Sequence, residues 1–303
     1  VRALAGYIMR SRSHAAAVSA LFGFLTWLLP PASHLSGAAV GLSVLRHGVA
    51  EGLTVLVLAS VATGALAWFA FDTVWPAAAL VLALWLPVMI GATVLRVTAS
   101  QGAMVSAFGL LAGGFVVIVN AAVPDIDRMW LEWLERVWKT VFGGSRAPAD
   151  EAAMKRIASV MTGAVGAGMA ASLVLTLFIA RWWQALLYNP GGFRSEFQSL
   201  RLPRSMLAIA ALVLLGALAG GQSSAVRGAS ADLVLVLVVL YMFQGLAVVH
   251  QRAGAWGLGV AWFVVLYVLL LMVPQYVALF LALLGAADGV ADFRRLGSIG
   301  PRN

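Results

Sequence analysis

Three clusters of ionisable and amide side chains interrupt the long apolar runs of this chain, and each has a spacing that could do chemistry. Arg46, His47 and Glu51 lie between two apolar segments. They could line a polar cavity, with Arg46 and Glu51 closing a salt bridge that a substrate or proton opens; otherwise they form an ordinary turn at the membrane face. The second cluster starts at Arg181-Trp182-Trp183-Gln184, passes Asn189-Pro190-Gly191-Gly192-Phe193 and ends with Glu196-Phe197 and Arg201. Pro190 cannot donate to a helix ladder and biases Asn189 away from helical angles, and the two glycines permit a sharp turn. This elbow could dock a partner or gate access through Arg181, Asn189, Glu196 and Arg201. Alternatively it is a structural belt, with Trp182, Trp183 and Tyr188 among the headgroups and arginines snorkelling. The third cluster, Asp288 and Asp292 with Arg294 following, places two acids one helical turn apart. They could hold a cation or meet the elbow arginines, or form a solvated tail. Asn120, Gln244 and His250 sit on otherwise apolar segments, as cavity residues or as hydrogen-bond partners between helices.

Other chemistry is excluded or unsupported. No His-Glu-x-x-His, phosphate-binding Gly-x-x-x-x-Gly-Lys or Gly-x-Ser-x-Gly motif occurs, so no enzyme class is indicated. The four histidines, His14, His34, His47 and His250, are scattered, and neither a metal nor a cofactor is expected. Absence of cysteine rules out disulfides, thiolate metal sites and a Cys nucleophile. The net charge of +8 reflects basic residues in short loops, which is the positive-inside pattern rather than a nucleic-acid footprint.

The elements that must position these residues are membrane helices. Hydrophobic residues make up 62% and charged residues 11% of the chain, against roughly half and a quarter in soluble domains. Lipid must therefore surround most of it. The expected architecture is an all-α polytopic bundle forming one integral-membrane domain over residues 1–303. Apolar segments fall at about 15–29, 35–45, 53–71, 75–95, 102–122, 158–181, 207–221 and 233–249, with a final stretch, 256–287, divided at Pro274-Gln275. That gives about nine spans and a short tenth element. The second segment is too short to cross and reads as a buried short helix or a re-entrant piece. The first reads as an uncleaved membrane helix rather than a secretion signal, because Pro30-Pro31 is a poor cleavage context. Pro87 should kink the fourth.

An extracytoplasmic loop at 123–156 should carry one interfacial helix. From Asp125 to Phe142, Ile126, Met129, Trp130, Trp133, Leu134, Val137, Trp138 and Val141 repeat at helical spacing, opposite i,i+4 pairs of Glu132 with Arg136 and Glu135 with Lys139. A long helix should then run from Pro148 into the sixth segment. With a cytoplasmic N-terminus, 13 basic residues fall inside and 7 outside, which places the 181–204 elbow and the C-terminal end in the cytoplasm.

Three pieces together carry a resemblance: Leu45-Arg46-His47-Gly48-x-x-Glu51-Gly52, the stretch from Trp182 to Phe197, and Gly285-x-x-Asp288-x-x-x-Asp292-Phe293-Arg294. The chain resembles the YybS-like family of bacterial inner-membrane proteins. Part of that family is similar to the substrate-capturing subunits of energy-coupling-factor vitamin transporters, and the resemblance implies a helical bundle with a small-molecule cavity. This chain departs from those subunits in having more apparent spans than their usual six and an added interfacial helix. Ala16-Ala17-Val18-Ser19-Ala20 matches their small-residue coupling motif, as many Ala-rich stretches would.

The function expected from the sequence is a transporter-like subunit binding a small molecule or lipid within its bundle, with a route past the short second segment and the broken last stretch. The alternative is a scaffold that contacts other membrane proteins through the Trp-rich outer helix and the elbow, with an intramembrane enzyme as a third class. A cavity among the helices separates the first two. The lack of native cysteine makes the topology directly testable. Single substitutions Arg194→Cys and Arg252→Cys should react with a membrane-impermeant thiol reagent from the cytoplasmic side only, and Arg136→Cys from the opposite side. Opposite labelling of positions 194 and 252 would overturn the threading.

Overall fold

The computed structural model describes residues 1–143, 151–219 and 225–291, and every regular element among them is helical. A short α1 (Arg2–Ile8) packs Ala5 and Ile8 into the bundle. It is followed by a hairpin of α2 (Arg12–Leu25) and α3 (Ala32–His47), then by α4 (Val49–Phe71). The next transmembrane unit is α5 (Trp75–Leu80), a π-helical turn at Val81–Trp85 and α6 (Leu86–Thr98). Beyond it come α7 (Gln101–Ala122), α8 (Ile126–Phe142), α9 (Glu151–Ala158), α10 (Met161–Tyr188) and α11 (Gly192–Gln198). The chain then forms α12 (Ser205–Ala219), α13 (Ala225–Ala255), α14 (Val260–Met272) and α15 (Pro274–Ala291).

Among the described residues six helices are long and apolar enough to cross a membrane: α4, the α5–α6 unit, α7, α10, residues Gly228–Ala255 of α13, and α15. Shorter apolar helices α12 and α14 stand beside them. The difference from the nine spans and short tenth element expected lies in four shorter helices: α2, α12, α14 and α3, the last already expected to be too short. With 14 and 16 residues, α2 and α3 reach only about 21 and 24 Å at 1.5 Å per residue, short of a hydrocarbon core of about 30 Å. The hairpin is capped at its entry, where the Ser11 hydroxyl accepts from the His14 amide, and turns at Pro30-Pro31. The proline-bearing unit shows how the kink is absorbed. Pro87 lacks the amide that would bond one turn back, and the ladder widens immediately before it into a π-helical turn, with the Leu86 amide bonding the Val81 carbonyl.

The short α3 is the centre of one half of the bundle and is buried without interruption from Ser36 to Leu45. The Ser36 hydroxyl donates to the Ser19 carbonyl at 2.7 Å and accepts from the Trp85 indole at 2.9 Å, tying α2, α3 and the π-helical turn together. Gly37 and Gly41 let α10 come close, meeting Thr176 and Leu177. His34 lies 2.8 Å from the Thr176 hydroxyl, so α3 begins beside the middle of α10 and not at its outer end.

Helix α8 forms where the periodicity placed a helix. Asp125 caps it, no residue on it is buried, and the Trp130 indole donates to Thr162 at the start of α10. Glu132 pairs with Arg128 one turn earlier at 3.0 Å. The long helix expected from Pro148 onward is corrected: α9 ends at Ala158, Ser159 and Val160 break the ladder, and α10 begins at Met161 and continues to Tyr188. Pro148 and Asp150 lie outside the described residues.

In the other half, α13 and α15 approach backbone to backbone. A Cβ on Gly245 would lie 1.9 Å from the Leu281 carbonyl oxygen, and one on Gly285 would lie 2.2 Å from that of Tyr241. Such contact between small residues replaces the hydrophobic drive that lipid cannot supply. Gly245→Ala should therefore cost about 1–3 kcal/mol of stability, the usual penalty for overpacking. Gly64→Ala on α4, where a Cβ meets nothing within 4 Å, should be neutral. Thermal unfolding of both variants in the same detergent checks this.

Candidate functional site

The elbow is built as its sequence suggests. Asn189 ends α10 with φ −150°, and Gly191 adopts φ +87°, a left-handed conformation that disfavours any side chain. The Gly192 amide donates to the Asn189 carbonyl at 3.0 Å, and a Cβ on Gly192 would strike the Asn189 side chain. Helix α11 folds back so that Glu196 meets Arg181. Arg181 Nε donates to Glu196 Oε2 at 2.8 Å, and a second guanidinium nitrogen bonds the other carboxylate oxygen. This forked, half-buried pair is the strong form of ion pair and fixes the angle of the elbow.

The polar side of the elbow rests on the end of α3. Arg181 also donates to Gln184 Oε1 at 3.1 Å, and Gln184 donates to the Leu45 carbonyl. Arg96, from the last turn of α6, donates to the carbonyls of Leu45 and Arg46 at 2.8 and 3.1 Å. The last carbonyls of a helix have no partner within it, and here side chains from α6 and α10 supply donors to two of them. A small polar pocket of about 200 Å³ lies among Leu45, Arg96, Arg181, Gln184 and Glu196.

The apolar side of the elbow forms one wall of a much larger crevice. Phe193 and Phe197 stack on each other and meet Phe178 of α10 edge-on at 5.7 and 5.5 Å; Phe243 of α13 meets the same ring at 5.7 Å. Beyond them, α10, α13 and α14 enclose about 710 Å³, lined almost wholly by apolar side chains. Trp182 faces this crevice, whereas Trp183 is buried in the bundle, so the two tryptophans do not act as one belt. His34 lines the crevice beside Thr176, and Arg194, His250 and Tyr267 line it as well.

The other candidates separate into three places. His47 and Glu51 line a polar pocket of about 220 Å³ with Arg10, Ser11 and Arg12. The partner of Glu51 is Arg12, at 2.7 Å, and not Arg46. Arg46 turns instead over the ring of Tyr188 at 4.1 Å, a cation–π contact that ties α3 to the end of α10. Gln244, fully buried, accepts from the Leu202 amide and donates to Asp288 Oδ2, both at 3.0 Å. Arg201 donates to the Asp288 carbonyl at 2.7 Å. Asp288 is 0% exposed, which overturns the solvated-tail reading for this residue and joins it to the segment after the elbow. Asp292 and Arg294 lie outside the described residues. Asn120, at the opposite end of the bundle, donates to Asp232 Oδ2 at 3.0 Å, and the Gly163 amide donates to Asp232 Oδ1. Asn120 and Gln244 thus join helices and line none of the three cavities described.

Sequence reasoning missed Asp232, His34 and Tyr267. A lone acid inside an apolar run was the available signal for Asp232, since such a residue needs a named partner. Among the described residues no group of three His, Asp or Glu side chains is placed to hold a metal.

Comparison with known proteins adds a family and nothing finer. Residues 17–289 match the model of a family described as predicted membrane protein (DUF2232). The chain belongs to this family. No curated protein and no solved structure matches it, so the likeness to energy-coupling-factor subunits gains no structural counterpart. For this member of the family, the Arg181–Glu196 pair predicts the behaviour of the elbow. Glu196→Gln should speed amide hydrogen exchange across 192–198 by about tenfold or more, given the roughly 1.5–3 kcal/mol of a hydrogen bond to a charged group. Glu132→Gln, at the exposed pair on α8, should leave that exchange unchanged.

Proposed function

We propose that this protein is a transporter-class subunit of the bacterial inner membrane, holding an apolar or amphipathic small molecule or lipid in the crevice bounded by α10, α11, α13 and α14. The observation that carries the reading is the crevice itself. Its volume falls within the roughly 300–1,000 Å³ of ligand pockets, and its lining is apolar with a few polar groups. The elbow supplies the means of access. Phe193 and Phe197 close one end, and they ride on a seven-residue helix attached through the Asn189–Gly192 turn. Movement at that turn would open the crevice without disturbing α10. The basic-residue count puts this end in the cytoplasm, so the ligand would enter or leave on that side.

The scaffold alternative draws its support from α8, which has no fully buried residue and leaves Trp133, Val137 and Val141 exposed. One preparation separates the two readings. The protein is purified in a mild detergent, and both small molecules and proteins retained on it are identified by mass spectrometry. The expected result is an apolar or lipid-like molecule held by the native protein and lost from Leu175→Trp, which places an indole at the open side of the crevice where Leu175 is already 47% exposed. Equal retention by both proteins sinks the ligand reading. A co-purifying membrane protein with no crevice ligand would favour the scaffold.

A further inference from the structure

The crevice is not uniform along its length, and its polar groups point to the chemical class of its occupant. On α10 it extends from Ala171 to Trp182, about 16 Å at 1.5 Å per residue. The wall along this length is formed by side chains such as Leu175, Ile179, Met242 and Leu246, which offer no hydrogen bond. At the elbow end stands Arg194. Among the described residues it is the one permanently charged group lining the crevice; it is exposed, its backbone amide bonds the Gly191 carbonyl, and its guanidinium takes no hydrogen bond or ion pair. The nearby acid of the elbow, Glu196, is occupied by Arg181, and among the described residues no carboxylate lines the crevice.

The polar neighbours of Arg194 are committed elsewhere. A carbonyl can only accept, so the contact of His250 Nδ1 with the Leu246 carbonyl at 3.0 Å places the proton on Nδ1. Nε2 of the neutral ring is then left to accept from the Tyr267 hydroxyl at 3.2 Å. His250 and Tyr267 therefore satisfy each other, which leaves the guanidinium of Arg194, with the neutral indole N–H of Trp182, as the donors lining this end, and of the two only Arg194 is charged. Beside it, Gly254 leaves space: a Cβ there would come 3.4 Å from the guanidinium and 3.5 Å from the Gln198 amide.

We infer that the crevice takes a single-chain amphipath with an anionic head, a fatty-acid-like carboxylate, its chain between α10 and α13 and its head on Arg194. This rests on the ligand reading proposed above and adds the sign of the head group to it. A guanidinium binds a carboxylate through two parallel hydrogen bonds, and at the edge of an apolar crevice it selects against neutral and cationic heads. One chain fits a space of this size, which is the scale of drug-sized ligands.

The test uses the delipidated full chain in a neutral detergent with three probes that share a sixteen-carbon chain: hexadecanoate, 1-hexadecanol and hexadecyltrimethylammonium. Binding is read by native mass spectrometry at matched concentrations. Hexadecanoate should bind about tenfold more tightly than hexadecanol. Arg194→Gln should abolish that preference and leave hexadecanol binding unchanged, and Arg194→Lys should restore part of it. Equal binding of hexadecanoate and hexadecanol by the native protein, or a preference for the ammonium, would overturn the anionic head while the crevice reading stands. If none of the probes binds, or if Leu175→Trp leaves all binding unaltered, the crevice reading falls with it.

Discussion

Inside a bilayer there is no water to complete a hydrogen bond, so each polar group must find its partner within the protein. Two polar knots show how this chain meets that demand. At one end Asp232 accepts from Asn120 and from the Gly163 amide, joining α7, α10 and α13. Near the elbow Gln244 takes the Leu202 amide with its carbonyl and Asp288 with its amide, joining α13, α15 and the strand of chain that enters α12. The Asp232 knot joins its helices through polar contacts that lipid cannot replace, and the Gln244 knot adds to the close backbone approach of α13 and α15 at Gly245 and Gly285. Breaking one would leave a buried carboxylate without its donor, which costs more than the hydrogen bond itself is worth.

The same demand explains where the non-helical backbone occurs. The turn from Asn189 to Gly191 and the segment 199–204 both lie at one end of the bundle, beside the end of α3 and the start of α7. Arg96 and Gln184 donate to carbonyls at the end of α3, and Arg181 locks α11 against the same surface. The elbow is thus polar on the side that meets helix ends and aromatic on the side that meets the crevice. A segment with two such faces joins a rigid support to an adaptable cavity, which is a common arrangement at binding sites carried by loops.

Much of this was legible in the sequence. The helix α8 was readable nearly to the residue, because its periodicity and its Asp125 cap are both local signals. The elbow was readable because Pro190, Gly191 and Gly192 impose their conformations whatever surrounds them. The shortness of α3 was legible too, since the run from Leu35 to Leu45 is below spanning length. What the sequence left open was a buried helix or a re-entrant piece, and only packing against α10 and the Trp85 indole decides for the buried helix. The burial of Asp288 was hidden for a similar reason, since its partner Gln244 lies on a different helix. The crevice was hidden most completely. Its phenylalanines and leucines come from four helices, and nothing in their types separates a cavity lining from a lipid-facing surface.

The hairpin of α2 and α3 bears on how the molecule sits in its surroundings. Its turn carries Leu28 and Leu29, both well exposed, and just before it the rings of Phe24 and Trp27 meet Phe71, the last residue of α4. The short hairpin therefore ends level with a helix long enough to cross the membrane. An aromatic and apolar rim at the end of a spanning helix would sit at the headgroup level, where tryptophan is favoured, so this corner would anchor the protein and set its depth in the bilayer.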